Sequence, residues 1–243
     1  MTLKHILQNS EYVNGVGKIY PIRLLDEDEF SRHSGILTIS KKSLQMEDTH
    51  YKLLDTLILG IEDREKSNII INDFLKIFRL VLRRKIHFVH REKSYEFISD
   101  DDEDECSINS ENYDLVRQII MKQNLIFEPK VFKDKRAQEW ANKVLAVRAK
   151  NNKITIEDMI TTVSIYSGID INILKEYSKY QLQASFYRVN KIKAYDTSIQ
   201  FTCAGGKDIE IPDYTGEIEM FKSPYDDIFV SKNKLGKIDE AMK

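Results

Sequence analysis

His87 and His90 are the nearest thing in this chain to a metal-ligand pair. They fall in Ile86-His87-Phe88-Val89-His90, an apolar run that reads as a strand. Residues three apart on a strand point to opposite faces, so the two imidazoles cannot share one ion. The spacing predicts exposed hairpin histidines instead. His5, His33 and His50 are scattered along the chain. Gly15-Val16-Gly17 resembles the opening of a dinucleotide fingerprint, but Tyr20 stands where the third glycine is required and no buried strand precedes it. A plain turn is the better reading. No phosphate-binding Gly-Lys-Ser/Thr loop and no Gly-x-Ser-x-Gly elbow occurs.

The acidic side chains are no more suggestive of a reaction. Asp100-Asp101-Asp102-Glu103-Asp104-Glu105 is an unbroken run of six. Calcium loops space their oxygen ligands and include a glycine to turn the chain, and this run does neither. Like charges at this density repel and solvate, so an exposed connection is expected, with docking of a basic partner as its functional alternative. Asp226-Asp227 is a weak general acid/base pair, because neighbouring side chains on a loop seldom converge on one atom. No catalytic, cofactor-binding or metal-binding residue is assigned, no cofactor is implied, and an enzyme is not expected.

Two basic stretches remain. Lys133 to Lys153 carries seven Lys/Arg against two acids, and Lys175 to Lys193 five against one, the latter interleaved with Tyr177, Tyr180, Phe186 and Tyr187. Basic residues among aromatics can mark single-strand binding. Aromatics at three- and four-residue spacing more often form the inner face of a helix with lysines on its wet side. Nucleic-acid binding is therefore not expected.

The elements that would position these residues read as α+β, predominantly α-helical. Low Gly (9) and Pro (4) favour long helices over tight turns. Residues 1–99 form a mixed α/β region. Lys18–Leu24 is expected to be a strand, with Pro21 at a sheet edge, and Asp26-Glu27-Asp28-Glu29 to begin a helix. A longer helix over about Asn68–Arg84 carries Ile70, Phe74, Ile77, Phe78 and Val81 on one stripe, capped by Ser67 or Asn68. A hairpin follows, 86–90 against 95–98. Residues 100–111 are the exposed acidic connection. Residues 112–243 form a helical region: Asn112–Asn124, a helix capped by Asp134, and another opened by Thr155-Ile156-Glu157-Asp158 and closed at Gly168. A long segment runs from Asp170 to about Lys193. A terminal β-hairpin is expected, with Ile199, Phe201 and Cys203 on one face and Gly205-Gly206 as its turn. Trp140, on the stripe of Ala137, Ala141 and Val144, is expected to be buried.

Composition narrows the setting. The chain is 42% hydrophobic and 31% charged, which suits a folded protein. With 37 basic and 39 acidic residues, a net charge of -2 gives no global pull toward nucleic acid or anionic membrane. Cys106 and Cys203 are far apart and suggest a reducing compartment. The start Met1-Thr2-Leu3-Lys4-His5 has no signal-peptide core, and no apolar run reaches the roughly 20 residues needed to cross a bilayer. A cytoplasmic setting is expected.

Several stretches together resemble a known family. They are Glu111-Asn112-Tyr113-Asp114-Leu115-Val116-Arg117-Gln118-Ile119-Ile120-Met121-Lys122-Gln123-Asn124, Phe127-Glu128-Pro129-Lys130, Gln138-Glu139-Trp140-Ala141, Thr155-Ile156-Glu157-Asp158-Met159 and Met220-Phe221-Lys222-Ser223-Pro224-Tyr225-Asp226-Asp227-Ile228-Phe229, with the earlier Tyr20-Pro21-Ile22-Arg23. The series resembles uncharacterised proteins from tail-gene clusters of phages and prophages of low-GC Gram-positive bacteria. The likeness covers most of the chain. It implies tail morphogenesis, and the closest class is the tail assembly chaperones, helical proteins that coat the tape-measure protein before the tube polymerises. That class implies no catalytic residues. Its members are shorter and lack two hairpins and an acidic insert, which keeps a structural tail or baseplate component as an alternative. A phage protein that binds a host factor through the acidic run is another. The resemblance implies tape-measure or other tail proteins as partners, leaves a homo-oligomer open, and places the protein in the host cytoplasm or, alternatively, in the virion tail. Phe221, Pro224, Tyr225 and Phe229 are the candidate partner-contact residues, although apolar side chains on an irregular segment could equally pack internally.

Overall fold

The computed structural model describes residues 3–44, 46, 50–59, 64–91, 94–99, 106–151 and 154–226. The chain opens with α1 (Leu3–Ile6) and a small antiparallel hairpin, β1 (Glu11–Val13) and β2 (Gly17–Ile19). Gly15 and Gly17 take φ of 74° and 94°, so the Gly-Val-Gly stretch is a turn, in a conformation glycine adopts without strain. The strand expected over 18–24 stops at Ile19. Pro21 has no N–H for a ladder, and the Ile22 N–H is taken instead by the Asn124 Oδ1, at 2.9 Å.

The acids that open α2 (Glu27–His33) occupy its first turn, where they complement the helix dipole. α3 (Leu53–Leu59) and α4 (Arg64–Leu82) follow. The α4 stripe is as the spacing predicts: Phe74, Ile77, Phe78 and Val81 are buried, with Ile70 packed beside them. Its start is earlier than expected. Ser67 lies inside the helix and donates its hydroxyl to the Ile58 carbonyl at 3.0 Å, so it is not the cap.

β3 (Ile86–Arg91) and β4 (Ser94–Ser99) form the expected hairpin, and β5 (Ser107–Ile108) adds a third antiparallel strand, order β3-β4-β5. Asp100–Glu105 lie outside the described residues. Cys106 and Ile108, expected in the exposed connection, are buried. Ile108 pairs with Phe97 and fills the core, which outweighs the polarity of its neighbours. Phe74 stacks on Phe78 at 5.6 Å, and Phe97 meets both edge-on. α5 (Tyr113–Gln123) closes this core with Tyr113, Val116 and Ile120. The first core therefore takes in β5 and α5 from beyond the acidic run. Gln123 donates to the Ile19 carbonyl at 3.1 Å and Asn124 to the Ile120 carbonyl at 2.8 Å, which satisfies buried backbone groups.

Four more helices follow: α6 (Lys135–Asn151), α7 (Ile156–Ser167), α8 (Ile171–Leu174) and α9 (Lys179–Cys203). The Thr155–Asp158 capping box and the left-handed Gly168 bound α7 as their residue types predict. Asp170 caps only the short α8. A second capping box, Ser178 with Gln181, opens α9. The terminal β-hairpin is not formed: Ile199, Phe201 and Cys203 continue α9. Gly205 N–H bonds the Thr202 carbonyl and Gly206 N–H the Phe201 carbonyl, so the Gly-Gly pair is a Schellman helix end and not a hairpin turn. Phe201 is 59% exposed, so no second sheet layer was available to make a strand of this stretch worthwhile.

Beyond Gly206 the chain returns along α9 as an irregular strap. Tyr214 packs on Tyr195 at 4.9 Å, and Arg188 and Lys191 donate to the Gly216 carbonyl. Ile218 and Met220 then bury against Leu125, Tyr180 and Ala184. A third cluster, Val163, Leu174, Leu182 and Phe186, joins α7, α8 and α9.

Candidate functional site

The residues whose types suggested chemistry are not brought together. His87 and His90 are both exposed on β3, and His90 stacks on Tyr95 at 4.8 Å. His33 lies 2.7 Å from Asp73, a partner 40 residues away in sequence. His5 is buried between Tyr180 and Phe221, and burial pushes its pKa down, helped by the neighbouring Lys4. No group of three His, Cys, Asp or Glu among the described residues is placed to hold a metal ion. Asp226 forms a 2.7 Å ion pair with Lys130, whose hydrogen bond holds the carboxyl below its usual range. Asp227 lies outside the described residues.

The basic stretch of α9 has structural work. Lys179 meets the buried Glu27 at 3.0 Å, and Lys193 sits 4.9 Å over the Tyr166 ring. With Arg188 and Lys191 tied to the strap, few cations of this helix face solvent as a continuous track.

The candidate contact residues lie at the end of the strap. Phe221 packs on Tyr180 at 5.6 Å, with the Lys122 ammonium 5.6 Å from its ring. It also forms one wall of an open groove of about 350 Å³. Met121, Ile126 and Phe127 supply the rest of the apolar lining, and the Arg117–Glu128 ion pair, at 2.9 Å, stands at the rim. Pro224 is exposed and its carbonyl accepts from Arg148 at 3.4 Å. Tyr225 is half-buried with its ring 6.5 Å from Phe132. Phe229 lies outside the described residues. Phe221 and Tyr225 thus pack internally and leave part of their surface open.

A second surface was not expected. Trp140 is 50% exposed, which corrects its assignment to the interior: α6 turns Ala141 inward, while Trp140 and Val147 face out. On α7 and α8, which pack together, Ile165 is 85% exposed, and Ile171 and Ile173 are also exposed. Ile165 lies two residues beyond the buried Val163, which puts it across α7 from the inner stripe.

Fold and surface together define a mainly helical α+β protein with exposed isoleucines on α7 and α8. Comparison adds its relatives. Residues 148–219, from the end of α6 through the strap, match the family model described as YomV second domain. The chain is 25% identical over 218 residues to the SPbeta prophage-derived uncharacterized protein YomV of Bacillus subtilis (strain 168), covering 85% of this chain and 84% of that protein. No solved structure matches. These likenesses support a phage or prophage protein family. Neither reaches a tail-gene cluster or a chaperone activity.

Proposed function

We propose that this is a non-enzymatic phage protein of tail morphogenesis, a tail assembly chaperone that covers the tape-measure protein in the host cytoplasm. The observation that carries the reading is that Ile165 of α7 and Ile171 and Ile173 of α8 stand exposed within the segment that matches the YomV second domain. Large apolar side chains left in water, where neighbouring helices bring them together, mark contact surfaces. Tape-measure chains carry long apolar helical stripes, and an amphipathic helix is recognised by laying such a stripe on an apolar face or groove. The groove beside Phe221 adds a second apolar contact of the same kind.

Mass spectrometry of purified virions, paired with affinity capture from infected cells, tests this. The chaperone is expected to be absent from virions and to co-purify with the tape-measure protein. Many copies per particle would make it a structural tail or baseplate component. Capture of a host protein alone would favour a host-factor ligand.

A further inference from the structure

A separate cleft lies where the β1–β2 hairpin meets the C-terminal end of α4. It has a volume of about 320 Å³ and is walled by Tyr12, Lys18, Tyr20, Arg83 and Arg84. Three of these are cations and two carry phenol rings. No carboxylate lines it among the described residues. Tyr12 stands directly across the strand pair from Lys18, and both are exposed on the outer face of the hairpin. Glu11, the adjacent acid, alternates to the opposite face and is engaged by Lys4 at 2.8 Å. Tyr20 is pinned to the helix by its N–H bond to the Val81 carbonyl at 2.8 Å.

Arg83 is the decisive residue. It directly follows α4 with φ of 55°, the left-handed conformation that ends many helices and that glycine ordinarily occupies. An arginine there is strained. Cations near a helix C-terminus also complement its dipole, and Arg84 and Lys85 follow at ordinary backbone angles where that is all a cation is needed for. Arg83 instead lays its guanidinium 4.4 Å over the Tyr20 ring, facing the space shared with Lys18 and Tyr12. Stacking fixes the plane of the guanidinium while its donors stay available for the bidentate geometry a phosphate accepts. Lys18 adds a point charge, and the exposed Tyr12 ring is a platform on which a base can stack.

We propose that this cleft binds a nucleoside phosphate, either a free nucleotide or one unit of a single strand. The phosphate lies between Lys18 and Arg83, and the base stacks on Tyr12. This site is independent of the exposed isoleucines proposed to meet tail proteins.

The test uses the full chain at low ionic strength. Adenosine monophosphate, a short labelled oligothymidylate and inorganic phosphate are each titrated against the protein, Lys18→Gln and Arg83→Gly. Glycine takes a positive φ freely, so Arg83→Gly removes the guanidinium without endangering the fold, and its melting temperature is expected to hold or rise. Adenosine monophosphate or the oligothymidylate should bind, and each variant should weaken that binding roughly tenfold or more. The tighter of the two probes identifies the source, free nucleotide or strand. Failure of both to bind, binding that neither variant weakens, or inorganic phosphate bound as tightly as adenosine monophosphate would overturn the proposal.

Discussion

Tyr113 is fully buried against Phe74, at 5.4 Å, and its hydroxyl has no hydrogen-bond partner among the described residues. A buried polar group without a partner costs about 1–3 kcal/mol. Tyr113→Phe keeps the ring and removes the penalty, so it should stabilise the protein by about 1 kcal/mol in urea unfolding. Burial also raises the phenol pKa above its ordinary value of 10.0. The folded chain therefore keeps the proton where the unfolded chain releases it. That contribution is intact below about pH 10 and declines as pH rises beyond it. Melting curves should show Tyr113→Phe losing less stability than the parent above that pH. Trp140 makes the opposite point. Its place on an apolar stripe was legible, but its exposure was not, because the stripe width that meets a neighbour is set by tertiary packing. Half-exposed, it is not a core anchor, so Trp140→Ala should cost about 1–2 kcal/mol, less than the roughly 3–5 kcal/mol of a fully buried Trp, and the parent protein's fluorescence maximum should lie to the red of a fully buried indole.

At the scale of elements, what was legible was local. The α4 stripe, the 86–99 hairpin and the Thr155 capping box each follow from residues within a few positions of one another. The break before α9 does not. Leu24 and Leu25 donate their N–H groups to the carbonyls of Tyr177 and Lys175, so residues 150 positions upstream by rough count hold the turn that separates α8 from α9. The Ser178–Gln181 box was present in the sequence but merged into a longer helical reading. The terminal hairpin failed for a related reason. Alternation over Ile199, Phe201 and Cys203 is also compatible with a helix already running from Ser178, and Gly-Gly ends a helix as readily as it turns a hairpin. The Ser178 cap is buried, and its partner Gln181 also donates to the Ile6 carbonyl at 2.6 Å. Ser178→Ala should therefore cost about 1–2 kcal/mol, more than Thr155→Ala at an exposed cap. Chemical denaturation of the two variants side by side checks the order.

At the scale of the molecule, packing unites what charge appeared to divide. Asp100–Glu105 interrupts the chain within the first core, and its flanks are joined by the Ser99 N–H to the Cys106 carbonyl at 3.1 Å. With the ends held by the sheet, replacing the six acids by an equally long Gly/Ser linker leaves loop closure unchanged and should alter stability by under about 1 kcal/mol. A loss of several degrees in melting temperature would make the run a structural element. The candidate site was legible only in part. Phe221 could be named from its segment, but its groove is assembled from α5, Ile126 and Phe127, which no local pattern links. The exposed isoleucines were hidden, since sequence shows that Ile165 and Ile173 are apolar and not whether anything covers them. Their exposure supports the final prediction. Both isoleucines are exposed, so Ile165→Glu with Ile173→Glu removes little buried area and should shift stability by about 0.5 kcal/mol or less at each position. A carboxylate at the centre of an apolar contact must be desolvated without a partner, so tape-measure capture should fall at least about tenfold. Undiminished capture by a folded double variant would move the contact elsewhere, with the Phe221 groove next in line. A lowered, concentration-dependent melting temperature would instead show that a second copy of the chain covers these side chains, and the two isoleucines would belong to an oligomer interface.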